Sequence, residues 1–405
     1  MLRRAARWGV GFFRRQRGPF KVNMVRNLVQ NFSLGLTQQY QSIYITVLGA
    51  DPVQLGLVSG IGGLANALVT VPAGWLADRF GIRRVLLASM SLMALGYALF
   101  GAARGWEFTV FALVLTSCAW GAGMVVCPMI CGSTLRSEER ATGMQICDTV
   151  TAVPRIVAPV VAAHLITLFG GIDAGGIRPL YWIEVGGLLV AALIMYRFFG
   201  DPREGLTLEP SPLLGGARRV FREGVMVKRW IVYTVLSTFP MFMSMYIPLY
   251  AREFKGAGQL TLGLMDTAYW AVIVLLALPI GLSADRLGRK RVVTLLTPLY
   301  CASLLLLVYA PNDVVLVLAG LLNGFIMLAA VTQGAITVGL VPGELLGSWF
   351  GMLGLFRGVV NVVSPILGGL FWEALGPVSV FYFLAVSQLI KLPILASMPS
   401  ASTGG

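Results

Sequence analysis

The chain has 405 residues, 57% of them hydrophobic and 12% charged, about half the charge fraction of a soluble globular domain. That composition excludes a soluble enzyme or adaptor and leaves an integral membrane protein. The formal net charge of +13 does not indicate nucleic acid, because the basic residues sit in short turns between apolar runs.

Residues 1–26 are basic and aromatic, with Arg3, Arg4, Arg7, Trp8, Phe12, Phe13, Arg14, Arg15 and Arg17. No apolar core with a small-residue cleavage site follows, so a cytoplasmic segment on an anionic lipid surface is expected rather than a signal peptide. A span needs about 20 mainly apolar residues, and the first half supplies six: 27–50, 53–77, 82–101, 107–135, 141–169 and 178–199. A polar linker, 200–228, separates them from six more at 229–251, 260–284, 289–309, 312–340, 345–373 and 377–397, with a tail at 398–405. The fold class is therefore all-α, a polytopic membrane protein of twelve transmembrane helices. Lys and Arg number 24 in the segments on the side of the termini and 4 on the other, which places both termini in the cytoplasm of an inner membrane.

The first span is polar for a membrane helix. Gln30, Asn31, Ser33, Thr37, Gln38, Gln41, Ser42 and Tyr44 cover about half its circumference, a face that suits a wet cavity rather than lipid. The seventh repeats this weakly with Tyr233, Thr234, Ser237, Thr238 and Ser244. Arg155 lies roughly 20 Å into the fifth span at 1.5 Å per residue, and Arg357 lies equally deep in the eleventh. Each needs a partner or a wet site, since a mid-bilayer charge costs at least about 3 kcal/mol. Asp148 and Asp266 are candidate partners for Arg155, while Arg357 has no evident acid and reads as a substrate contact. Asp148, Asp266 and Glu184 are the carboxylates able to take a coupling proton. His164, the single histidine, reads as packed.

The two halves repeat each other. GWLADRFGIRR, Gly74 to Arg84, returns as GLSADRLGRKR, Gly281 to Arg291, 207 residues further on. APVVAA at Ala158 aligns with SPILGG at Ser364 at an offset of 206, which also pairs Glu138 with Glu344. The halves thus form two pseudo-symmetric six-helix bundles. Gly74 and Gly281 are expected where a neighbouring helix comes close, and Gly81 and Gly288 in tight turns.

These motifs resemble the signature of the major facilitator superfamily, roughly G-x-L-A-D-R-x-G-R-R between helices two and three. The match uses Gly74, Asp78, Arg79, Gly81 and Arg83 in one copy and Gly281, Asp285, Arg286, Gly288 and Arg289 in the other. The resemblance implies a transporter working by alternating access, with Asp78 and Asp285 latching the cytoplasmic gate against helices eleven and five. It also implies that spans one and seven line the cavity and that span six, with Glu184, is peripheral. Drug antiporters of the family carry G-P-x-x-G-G in helix five, which is degenerate here at Ala158-Pro159, and an arginine in helix four where this chain has Ser117.

The function that follows is secondary-active transport of a small organic solute, with protons as candidate coupling ion in efflux. The alternative is an organic-anion or phosphate-ester carrier using Arg155 and Arg357. A polytopic enzyme would need a reactive cluster, and neither a metal-ligand spacing nor a nucleophile–histidine pair is present; a non-transporting receptor is the other departure. No cofactor, metal or nucleic acid is expected, only membrane lipid and the solute, and the working unit is a monomer. The five cysteines, Cys118, Cys127, Cys131, Cys147 and Cys301, fall within apolar spans and read as reduced thiols.

Overall fold

The computed structural model describes residues 18–135, 140–200, 225–338, 340 and 346–398. Sixteen α-helices and one 3-10 turn run through them. In the first half these are α1 (Gly18–Thr37), a 3-10 turn (Gln38–Tyr40), α2 (Gln41–Val47), α3 (Pro52–Phe80), α4 (Ile82–Ala102), α5 (Trp106–Thr134), α6 (Arg140–Ala152), α7 (Pro154–Leu168) and α8 (Ala174–Phe198). The second half contains α9 (Val225–Met243), α10 (Tyr246–Glu253), α11 (Gln259–Leu287), α12 (Arg289–Tyr309), α13 (Asp313–Asn323), α14 (Phe325–Val338), α15 (Leu346–Leu375) and α16 (Val378–Ala396).

Four predicted spans are broken. α1 and α2 form the first, α6 and α7 the fifth, α9 and α10 the seventh, and α13 and α14 the tenth. Two breaks follow from proline, which has no N–H and clashes with the carbonyl four residues back. Pro154 interrupts the ladder at Val150, whose carbonyl bonds Val153 N instead. Pro248 leaves Ser244 without its helical donor, and α9 and α10 meet there at a 44° bend. Among the described residues ten helices are long and apolar enough to span a membrane, and the bent pair makes eleven. The remaining span is the first, whose polar residues keep it below the apolar threshold.

Local chemistry fixes the ends. Asp51 caps α3 by accepting from Gln54 N, while Gln54 Oε1 accepts from Asp51 N, a reciprocal capping box. Asp173 and Asn312 cap α8 and α13 by accepting from Gly176 N and Val315 N. Gly81 and Gly288 turn at φ 89° and 92°, the positive-φ conformation that glycine adopts without a Cβ penalty. Leu68, Leu95, Leu275 and Leu295 present more than half of their surface outward, as lipid-facing helices do.

Two corrections concern the first segment and the glycines. Residues 18–26, expected on the lipid surface, instead extend α1 into the bundle: Phe20, Asn23, Met24 and Arg26 are buried, and Arg26 bonds Asn23 and Gln30. Residues 1–17 lie outside the described residues. The close approaches expected at Gly74 and Gly281 occur elsewhere. A Cβ on Gly74 would lie 3.5 Å from Val125, ordinary contact, and one on Gly281 would meet nothing within 4 Å.

The tight crossings lie at the opposite face, the one carrying Asp51 and Gly258. Gly56, Gly60 and Gly63, on one side of α3, bring its backbone against Pro365, Val362 and Asn361 of α15. Gly263 does the same for α11 against Pro159 of α7, where a Cβ would be 2.7 Å from the Pro159 carbonyl oxygen. Toward the face of the termini, Gly351 and Gly354 of α15 have open space. The two halves are therefore packed together at one face and parted at the other.

A candidate solute cavity between the halves

Where the halves part, a cavity of about 660 Å³ opens. The first half contributes Asn31, Gln38, Gln39, Gln41 and Ser42 from the broken first span, and Asp148, Thr151 and Arg155 from the fifth. The second contributes Ser237 and Ser244 from the seventh span, Asp266, Tyr269 and Trp270 from α11, and Asn323 from the end of α13. Apolar surface comes from Trp120, Phe242 and four methionines, Met241, Met245, Met265 and Met327. This combination of convergent polar groups and soft apolar walls suits a small amphipathic molecule.

Arg155 organises the cavity. It is 5% exposed and donates from Nε to Asn31 Oδ1 (2.9 Å) and from Nη1 to Gln38 Oε1 (2.7 Å). Its guanidinium carbon lies 4.6 Å from the Trp270 ring centroid on the other half, a cation–π arrangement. Of the expected acidic partners neither bonds to Arg155: two amides of the first span hold it, while Asp148 and Asp266 line the same cavity and Asp266 acts on it through space. Gly35 permits this approach, since a Cβ there would lie 2.8 Å from that of Ala158 on α7.

The polar face of the first span is shared between the cavity and the bundle. Asn31, Gln38 and Gln41 reach the cavity, whereas Gln30, Thr37 and Tyr44 turn into the bundle. Gln30 meets Arg26 and Met93, and the Tyr44 hydroxyl donates to the Phe100 carbonyl at 2.9 Å. On α9, Ser237 lines the cavity, while Thr234 and Thr238 are buried and joined by a bond from the Thr238 hydroxyl to the Thr234 carbonyl (2.7 Å). Arg357 is exposed and stands outside the cavity lining, because α15 leaves α3 beyond Gly358. His164, expected to be packed, is exposed with Nδ1 3.0 Å from the Val160 carbonyl.

In the first repeated motif two arginines make contacts within their own half. Arg79 covers Trp75 and Phe80 at 5.1 and 5.5 Å. Arg83 bonds the Tyr196 carbonyl and covers that ring at 5.4 Å. Arg286 and Arg289 are exposed. The side chains of Asp285, Cys127, Glu138 and Glu344 lie outside the described residues, so the expected latch to helices five and eleven is not described.

Sequence comparison adds the lineage. The profile described as Major Facilitator Superfamily matches residues 28–260 and again 255–397. The chain belongs to that superfamily. It is similar to the multidrug resistance protein MdtL of Shewanella oneidensis, 23% identical over 368 residues that cover 88% of this chain and 89% of the relative. It is also similar to the probable galactarate/D-glucarate transporter GudP of Escherichia coli, at 21% identity over 80% of this chain and 79% of that one. Among solved structures, the nucleoside transporter NupG superposes with a TM-score of 0.76 at 15% identity, covering 94% of this chain and 99% of NupG. This superfamily member is an integral membrane protein and a secondary transporter of a small-molecule substrate, not an enzyme.

Sequence reasoning missed Trp270, Tyr97 and Lys391. Trp270 was legible as part of a Tyr-Trp pair within α11, next to Asp266. Lys391 was visible as a charge within the last span of its half, as Glu184 is in the last span of the other.

Proposed function

We propose that this transporter exports a small amphipathic organic solute in exchange for protons, with the bundles 27–199 and 229–397 rocking about the cavity as units and a single chain sufficing. The observation that carries this is Arg155, held by first-half amides and covered by a second-half tryptophan at the centre of an otherwise amide- and methionine-lined cavity. A flat ring can take the place of the guanidinium on Trp270, or stack beside it on Tyr269, while its polar edge bonds the amides. The named role of relatives such as MdtL in multidrug resistance supports an amphipathic cargo and the outward direction. Arg155 shares the cavity with Asp148 and Asp266 while Arg357 stands outside it, which disfavours the organic-anion alternative. The distribution of Lys and Arg, 24 against 4, supports cytoplasmic termini and an inner-membrane location, so that the cavity described faces the cytoplasm.

The test is ethidium flux in proteoliposomes under an imposed pH gradient. Flux should follow the sign of the gradient and fall at least tenfold in Arg155→Ala, with partial recovery in Arg155→Lys, which keeps the charge but not the planar fork. Flux equal to that of protein-free vesicles would reject the cargo class, and flux indifferent to the gradient would reject proton exchange.

A further inference from the structure

Glu184 lies on α8, away from the solute cavity, in the interior of the first half. It is 0% exposed. Oε2 is 2.5 Å from the Thr37 hydroxyl, and Oε1 has no hydrogen-bond partner. Around it stand Tyr97 of α4, Arg155 of α7 and Tyr181 of its own helix, while Tyr44 of α2 packs on Tyr181 with centroids 5.0 Å apart. The nearby cations are committed elsewhere. Arg155 bonds Asn31 and Gln38, and Arg178 bonds the Ala103 carbonyl and the Tyr44 hydroxyl. An ionised carboxylate here would be a buried charge with no ion pair, held by neutral hydroxyls alone, an arrangement that costs several kcal/mol. A protonated carboxyl does not carry that charge cost.

The chain connects this acid to the cavity. Thr37 is the last residue of α1 and touches Glu184; Gln38, the next residue, opens the 3-10 turn and accepts from Arg155. One peptide bond thus separates the contact to the acid from the contact that holds the central cation. A second observation concerns the repeat. Lys391 lies on α16, the last span of the second half, as Glu184 lies on the last span of the first. It too is 0% exposed, with Nζ unpartnered and 5.7 Å from the Tyr233 ring centroid. The last span of each half therefore carries a buried ionisable group, acidic in one and basic in the other.

We infer that Glu184 is a proton-binding site set behind the solute cavity, and that its protonation is transmitted to the cavity through Thr37, Gln38 and Arg155. When the proton leaves to the water of the cavity, the carboxylate requires a counter-charge that Thr37 and Tyr97 cannot supply, and Arg155 is the cation that faces it. Turning toward Glu184 withdraws the guanidinium from Gln38 and Trp270 and so releases a contact between the halves. As the source of the driving force this rests on the proton-exchange reading; as a proton site it stands without it.

The test needs no cargo. Spin labels at Arg104→Cys and Pro311→Cys, exposed loop positions of opposite halves on the Asp51 face, report how far that face opens. In the labelled but otherwise unaltered chain the distance distribution should shift with pH. Glu184→Gln, which cannot release a proton, should hold the acid-form distribution throughout, and should lose the protonated-carboxyl band from the infrared spectrum. Thr37→Val, a milder change, should displace the midpoint of the titration. Distances that do not respond to pH, or that titrate alike with and without Glu184, would overturn the assignment. Ethidium flux indifferent to a pH gradient, with distances that still titrate through Glu184, would remove the exchange reading and leave the proton site standing.

Discussion

Gly63→Ala overpacks the crossing between α3 and α15. The added methyl would lie 2.7 Å from the Asn361 carbonyl oxygen and 2.9 Å from both the carbonyl carbon and Cγ of that residue. Two of these atoms are backbone, so relief requires the helices to separate by about 0.5–1 Å over a contact that packs like a protein interior. Overpacking of this kind costs about 1–3 kcal/mol. The cost falls on the conformation closed at the Asp51 face, since the methyl loses its neighbour when the halves part there. The ratio of open to closed forms should then rise about 5- to 150-fold. Ser59, half-buried in the cavity wall, supplies the assay: Ser59→Cys should react faster with a membrane-impermeant thiol reagent applied from the Asp51 face when Gly63→Ala is present. Gly354→Ala, whose methyl meets nothing within 4 Å, should leave the rate unchanged. Equal rates in both backgrounds, with the protein folded, would refute the crossing as the closure of that face.

Two further outcomes follow from named contacts. The Tyr246 hydroxyl lies 2.8 Å from the Pro365 carbonyl and 3.2 Å from that of Pro52 on the other half; Tyr246→Phe should weaken the closed form by about 1 kcal/mol, read as a several-fold faster Ser59→Cys reaction, and an unchanged rate would discount the bond. Lys391 is buried with an unpartnered ammonium, so Lys391→Met, of similar length, should melt at the same or a higher temperature. A clear loss of stability would mean that its contact with Tyr233 outweighs the desolvation of the charge.

The helix count and the duplication were legible because composition and repeat spacing report them directly, and spans one and seven were expected on the cavity from their polar faces and the family resemblance. The side-chain assignments on span one were half legible. A polar face that covers half of the circumference serves the cavity and the bundle interior at once. Asn31 and Gln38, seven residues apart on one side, reach Arg155, while Gln30 and Thr37, one position back in each case, face the bundle. The search for a partner to Arg155 was directed at acids, whereas two amide oxygens, Asn31 on α1 and Gln38 at the start of the 3-10 turn, take its hydrogen bonds. Depth along α15 placed Arg357 in mid-membrane, but depth does not specify azimuth, and the parting of the halves beyond Gly358 leaves it exposed. Glu184 was discounted as peripheral by analogy. Packing of α8 against α1 and α4 sets it at the interior of its half.

The closure at the Asp51 face has a consequence for how the transporter responds to its medium. Its contacts are glycine backbone against carbonyl, the Tyr40 hydroxyl on the Gln259 carbonyl, Gln39 on the Leu262 carbonyl and the Thr267 hydroxyl on the Ile156 carbonyl; none carries a net charge. The face of the termini is lined instead with Arg79, Arg83, Arg286 and Arg289. Mobile ions screen charges over about 8 Å at physiological ionic strength and leave neutral dipoles in van der Waals contact almost untouched. Salt therefore acts on only one arm of the conformational equilibrium, and the ionic strength of the compartment at the face of the termini becomes a bias on which way the molecule rests.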